Sequence, residues 1–133
     1  MIVRFNDNPK SPECLLSTSA LALNKLGEEL QQVSDKRFYK GKKASADGFY
    51  NSVLAGVSFV IEDDDSDKIA LNLIEDIFVI SGSKTALCDL GESLFNVFDN
   101  DTKDGTHLHY DYLNGHGLTR ETNISLVISC INQ

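Results

Sequence analysis

All three histidines of the chain, His107, His109 and His116, fall within ten positions in THLHYDYLNGHGL. Imidazoles at i and i+2 of a strand project to one side, so His107 and His109, with Asp111 or His116 as a third donor, have the types and spacing of a zinc or iron site. The same three side chains, hydrogen-bonded on an exposed sheet face, would instead form a polar surface able to hold another protein. No further Cys or His stands nearby to complete a metal shell, and no G-x-S-x-G elbow offers a nucleophile. Carboxylates gather in two other places. EDDDSD contributes Glu62, Asp63, Asp64, Asp65 and Asp67, and FDNDTKDG contributes Asp99, Asp101 and Asp104. Asp and Asn favour turns because they hydrogen-bond their own backbone, so each cluster reads as a solvated turn. Each also reads as a negative surface that attracts a basic protein, raising its association rate by roughly 10 to 10³. Two near-motifs are weaker. GSKT at 82–85 lacks the G-x-x-x-x-G-K-[ST] spacing of a phosphate loop and suits a capped helix start. DNDTKDG has one residue too many for a calcium loop and no glutamate at the twelfth position.

The overall balance sharpens the choice of partner. Twenty Asp and Glu face twelve Lys and Arg, giving a net charge of -8 in 133 residues, which argues against nucleic acid as a ligand. Residues 1–43 carry 8 basic and 5 acidic side chains, residues 44–133 only 4 basic against 15 acidic. No apolar run approaches the roughly 20 residues of a membrane span, and MIVRFNDNPK lacks the basic start and apolar middle of a signal peptide. Cys14, Cys88 and Cys130 form no C-x-x-C pair and are expected to be reduced, buried small hydrophobes. A cytoplasmic protein is therefore expected, folded as a single domain over 1–133.

The elements that must position these groups emerge from an internal repeat. ALNKLGEEL at 22–30 and ALCDLGESL at 86–94 share six of nine residues at an offset of 64, with Ser19 matching Ser83 and Val33 matching Val97. Leu23, Leu26, Leu30 and Val33, like Leu87, Leu90, Leu94 and Val97, form an apolar stripe with a period near 3.6, the mark of an amphipathic helix. Ser17 or Ser19, and Ser83, are the expected N-caps. Gly27 and Gly91 occupy equivalent mid-helix positions despite a cost of about 1 kcal/mol relative to alanine, so each helix is expected to approach its neighbour closely there.

Strands flank both helices: CLLS and FVIS before them, RFY with VSFVIE after the first, HLHYDY with ISLVIS after the second, the last pair matching at an offset of 67. IVRF and IALNLI add strands outside the repeat. The expected fold is α+β, an antiparallel-rich sheet of about six strands with two helices on one face. Its halves, about 14–63 and 78–129, would each run strand–helix–strand–strand. Residues 40–56, rich in Gly, Ser and Lys, read as a mobile loop. Pairing HLHYDY with ISLVIS so that the apolar faces coincide requires paired numbers to sum to an even value, which turns His107 and His109 outward.

The segment GTHLHYDYLNGHGLTRETNISLVI, with its H-x-H strand, G-H pair and closing S-L-V-I strand, resembles the C-terminal part of small bacterial immunity proteins. These neutralise the toxin of a polymorphic or contact-dependent growth inhibition system. The resemblance implies a cytosolic inhibitor without catalytic residues, metal or cofactor, whose partner is a cognate toxin. Many such toxins are basic nucleases, whose nucleic-acid site an acidic surface can occupy. On that reading Glu62, Asp63, Asp64, Asp65, Asp67, Asp99, Asp101 and Asp104 contact the toxin, with His107, His109, Asp111 and His116 as a second patch. The alternative is a small metal-binding protein or metalloenzyme built on the three histidines.

Overall fold

The computed structural model describes residues 1–112 and 117–131. Its elements run β1 (Ile2–Asn6), β2 (Glu13–Thr18), α1 (Ala20–Leu30), β3 (Lys36–Lys40), β4 (Ser52–Val53), β5 (Gly56–Ile61), β6 (Ala70–Ile74), β7 (Ile77–Gly82), α2 (Lys84–Val97), β8 (His107–Tyr110) and β9 (Ser125–Cys130). The protein is α+β, with five of its seven strand pairings antiparallel. Instead of one sheet of about six strands, the described residues form two mixed sheets, of order β4-β1-β2-β9-β8 and β3-β5-β7-β6.

Both helices start where expected. The Ser19 and Ser83 hydroxyls accept from the N–H groups of Ala22 and Ala86, the usual capping geometry. Leu23, Leu26 and Leu30 of α1, and Leu87, Leu90 and Leu94 of α2, are buried. The stripe breaks at its last position: Val33 is buried beyond the end of α1, whereas Val97 closes α2 at 36% exposure and Phe98 takes the buried place. The helices pack on each other through the two glycines. A Cβ on Gly27 would lie 2.5 Å from the Gly91 carbonyl oxygen, and one on Gly91 would lie 2.6 Å from that of Gly27. Only glycine permits backbones to meet that closely. Asn24 of α1 also donates to the Phe95 and Phe98 carbonyls at 3.0 and 2.7 Å, satisfying groups that the end of α2 leaves open.

The sheets are assembled by exchange. The short β4 aside, the first half of the chain runs β1-β2-α1-β3-β5 and the second β6-β7-α2-β8-β9. Yet β2 pairs in parallel with β9 and β5 in parallel with β7, so each sheet joins the opening hairpin of one half to the closing hairpin of the other. Glu13 lies opposite Ser125, and Ile77 opposite Gly56. Both inner faces and the helices contribute to one core cluster that includes Phe5, Leu16, Phe59, Phe78, Leu126 and Ile128.

Residues 40–56 are held in place rather than running as an open loop. Leu54 is buried, β4 pairs with β1, Gly41 N–H donates to the Ala55 carbonyl and Lys42 N–H to that of Met1. The Tyr50 hydroxyl also bonds the Glu13 carboxylate. Cys14 and Cys130 are buried, but Cys88, on α2, is partly exposed.

Candidate functional site

The histidine strand is the edge of the five-stranded sheet. In β8, His107 pairs with Ser129, Leu108 with Ile128, His109 with Val127 and Tyr110 with Leu126, every sum being even. Tyr110 is buried and both imidazoles are exposed. His107 Nδ1 lies 3.1 Å from the Gly105 carbonyl oxygen, and His109 Nε2 lies 3.3 Å from Asp111 Oδ1. That second contact lacks hydrogen-bond geometry, leaving the solvent-shielded Oδ1 without a hydrogen-bond partner. It is a charge contact whose strength follows protonation of the ring. His116 lies outside the described residues. Among the described residues no group of three or more His, Cys, Asp or Glu is arranged to hold a metal.

The carboxylate clusters lie at opposite ends of α2. The loop 62–67 joins β5 to β6 and is fastened to the start of the helix, where Ser83 Oγ donates to the Ser66 carbonyl at 2.5 Å. Acidic groups are favoured there by the partial positive charge of a helix N-terminus. The loop 99–105 follows the other end. Asp99 Oδ1 accepts from the Asp101 N–H at 2.8 Å, and the Asp99 N–H donates to Thr102 Oγ1 at 2.8 Å, an Asp-stabilised turn. With fourteen residues in α2 and about 1.5 Å of rise per residue, the clusters stand about 21 Å apart. They are two patches at the ends of one rod. Asp63, Asp65, Asp67, Asp99, Asp101 and Asp104 are exposed, while Glu62 is half-buried.

Arg120 is the residue that sequence reasoning missed. Its guanidinium bonds Asp64 Oδ2 at 2.6 Å and Glu62 Oε2 at 3.3 Å, and its Nε donates to the Lys68 carbonyl at 3.3 Å. Backbone bonds from Ile69 N–H to the Leu118 carbonyl and from Arg120 N–H to the Ile69 carbonyl stitch the same segment to the start of β6. Residues 118–120 thus meet the acidic loop, and two of its five carboxylates share the single positive charge of Arg120. Bonding to Arg120, with help from the Ser66 N–H, holds the Asp64 carboxyl below the usual carboxylate range. The available signal was scarcity, since only four cations occur in residues 44–133.

GSKT supplies a helix cap and DNDTKDG a turn, as their sequences suggested. What the arrangement offers chemically is fixed charge and exposed imidazole on an α+β frame, the chemistry of a protein-binding surface. The family model described as Immunity protein 32 matches residues 78–131, which run from β7 through α2, Asp99, Asp101 and Asp104 to β8 and β9. A likeness to immunity proteins is therefore supported over 78–131, a stretch that includes the helix between the clusters. No curated protein and no solved structure matches the chain.

Proposed function

We propose that this chain is an immunity protein of the contact-dependent growth inhibition type, which binds and neutralises a cognate bacterial toxin domain in the cytoplasm. The toxin is a basic nuclease, and the chain acts as one domain without chemistry of its own. The observation that carries this is the family match over 78–131, which spans the second acidic cluster and the histidine strand. Electrostatics supports the partner's sign: a chain of net charge -8 with exposed aspartates at both ends of α2 accelerates capture of a basic protein. A standard interface covers about 800 Å² of each partner, a patch about 30 Å across. One toxin domain can therefore span both clusters, with the carboxylates standing where phosphates would lie. His107, His109 and Asp111, which follow the 99–105 loop, form a second contact patch, to which we also assign His116, outside the described residues. We also read the two strand–strand–helix–strand–strand halves as a pseudo-repeat, supported by the constant 64-residue offset of helices, caps and glycines.

The test is protection. Cells expressing the toxin domain encoded beside this gene should survive with the wild-type chain. Joint replacement of Asp99, Asp101 and Asp104 by Lys should lower the association rate by about tenfold or more and flatten its dependence on salt. Undiminished, salt-independent binding by that variant would remove the acidic surface from the interface.

A further inference from the structure

The outer face of the four-stranded sheet carries an exposed apolar patch, with Asn72 beside it on β6. Phe38, Ser58 and Val79 share one row across β3, β5 and β7, with Val60 in the next row and Ile77 and Ile74 in the one before. They line a shallow groove of about 510 Å³, with Lys36 and Glu75 at its margins. Phe38 is 47% and Ile74 58% exposed. The Phe38 ring lies over Gly56, where any Cβ would strike it at 2.6 Å. Beneath, the Ser58 hydroxyl is closed to solvent and has no hydrogen-bond partner. Covering that hydroxyl therefore costs no further loss of water from it.

Charge on the rim selects the occupant. One edge, β3, presents Lys36 and, by strand alternation, Lys40 on this side. The opposite edge, β6, begins after Asp63, Asp65 and Asp67 and ends at Glu75 and Asp76. Lys36 sits in the row of Val60, at the end where β5 leads into the acidic loop, and Lys40 in the row of Ile77, at the end of the Glu75 turn. A two-fold axis parallel to the strands would lay the basic edge of one copy over the acidic edge of another. Lys36 would then face the 63–67 loop and Lys40 would face Glu75, twice each. This is the self-complementarity that an isologous interface requires, in the aligned face-to-face packing of sheets about 10 Å apart.

We propose that the outer face of the β3-β5-β7-β6 sheet binds a second copy of this chain, forming a two-fold dimer with β3 over β6 of the partner. Four strands about 4.8 Å apart and five residues of about 3.3 Å rise give a face near 19 by 17 Å. Two such faces cover about 650 Å² of sheet, below the roughly 1,000 Å² of a stable specific interface, so the dimer is a weak one. The dimer is therefore concentration-dependent, and the α2 ends and β8 stay outside it.

Sedimentation equilibrium of the full chain, from micromolar to millimolar concentration, tests this. The wild type should pass from monomer to dimer, and Ile74→Lys, which sets a like charge opposite Lys40 of the second copy from an exposed position in the same row, should remain a folded monomer. Lys40→Glu or Glu75→Lys alone should weaken the dimer by about tenfold, and the K40E/E75K double variant should recover it. A wild type that is monomeric throughout, dimers indifferent to I74K, or a double variant that does not recover would each overturn the proposal. A toxin that needs this face would show itself as the first of these, with protection lost in I74K.

Discussion

Replacing Gly27 by alanine tests the close packing of α1 against α2, the helix that separates the two acidic loops. The new methyl would stand 2.5 Å from the Gly91 carbonyl oxygen and 2.6 Å from the Phe95 nitrogen. Both are backbone atoms, so no rotamer change can make room. Reaching ordinary contact requires the helices to part by about 1 Å, an overpacking that costs about 3 kcal/mol at the upper end of its usual range. Alanine returns about 1 kcal/mol through helix propensity, leaving a loss of about 2 kcal/mol. In urea this should lower the unfolding midpoint by about 1 M for a chain of this size. Gly48→Ala is the control, because nothing lies within 4 Å of its added Cβ, and its effect should stay within about 0.5 kcal/mol. A Gly27→Ala midpoint equal to or above that of the wild type would show that the helices do not meet at the glycines.

Three other outcomes are expected. Ser83→Ala should destabilise by more than the roughly 1 kcal/mol of a lost cap and by more than Ser19→Ala, because Ser83 Oγ also holds the Ser66 carbonyl; equal losses by thermal unfolding would count against that second role. Asp64 has a folded pKa below its unfolded value, so its contribution to stability is present above the usual carboxylate range and is lost as pH falls through the folded pKa. Carboxyl NMR titration should show Asp64 protonating later than exposed aspartates in the wild type, and with them in Arg120→Ala. Burial pushes the Tyr110 phenol up to about 12, so stability is full below an unfolded pKa of about 10 and falls as pH rises from there toward the folded value. Tyr110→Phe should retain more of its stability across that window, as followed by alkaline unfolding.

Local chemistry was legible in the sequence wherever one element decided the outcome. The caps at Ser19 and Ser83, the buried leucines of both helices and the close approach at Gly27 and Gly91 follow from period and residue type. So does the even register that turns His107 and His109 outward. The division into two sheets was hidden, because β2 meets β9 and β5 meets β7 across long separations that no local pattern encodes. The same holds for β4, too short to show a period, and for Arg120, whose partners Glu62 and Asp64 lie 58 and 56 residues away. Residues 40–56 look loose by composition, but their backbone bonds to Met1, Val3 and Ala55 are invisible without the fold.

The exchange of hairpins carries a consequence for how the chain matures. Since β9 pairs with β2, the β1–β2 hairpin can form early, but its open edge waits for a strand that is made much later. Ordering so remote pairs late is slow, as it is for other folds rich in distant contacts. The sheet can close only once β9 has been made, so neither half should survive alone, and two separately expressed halves should regain a fold only in each other's company.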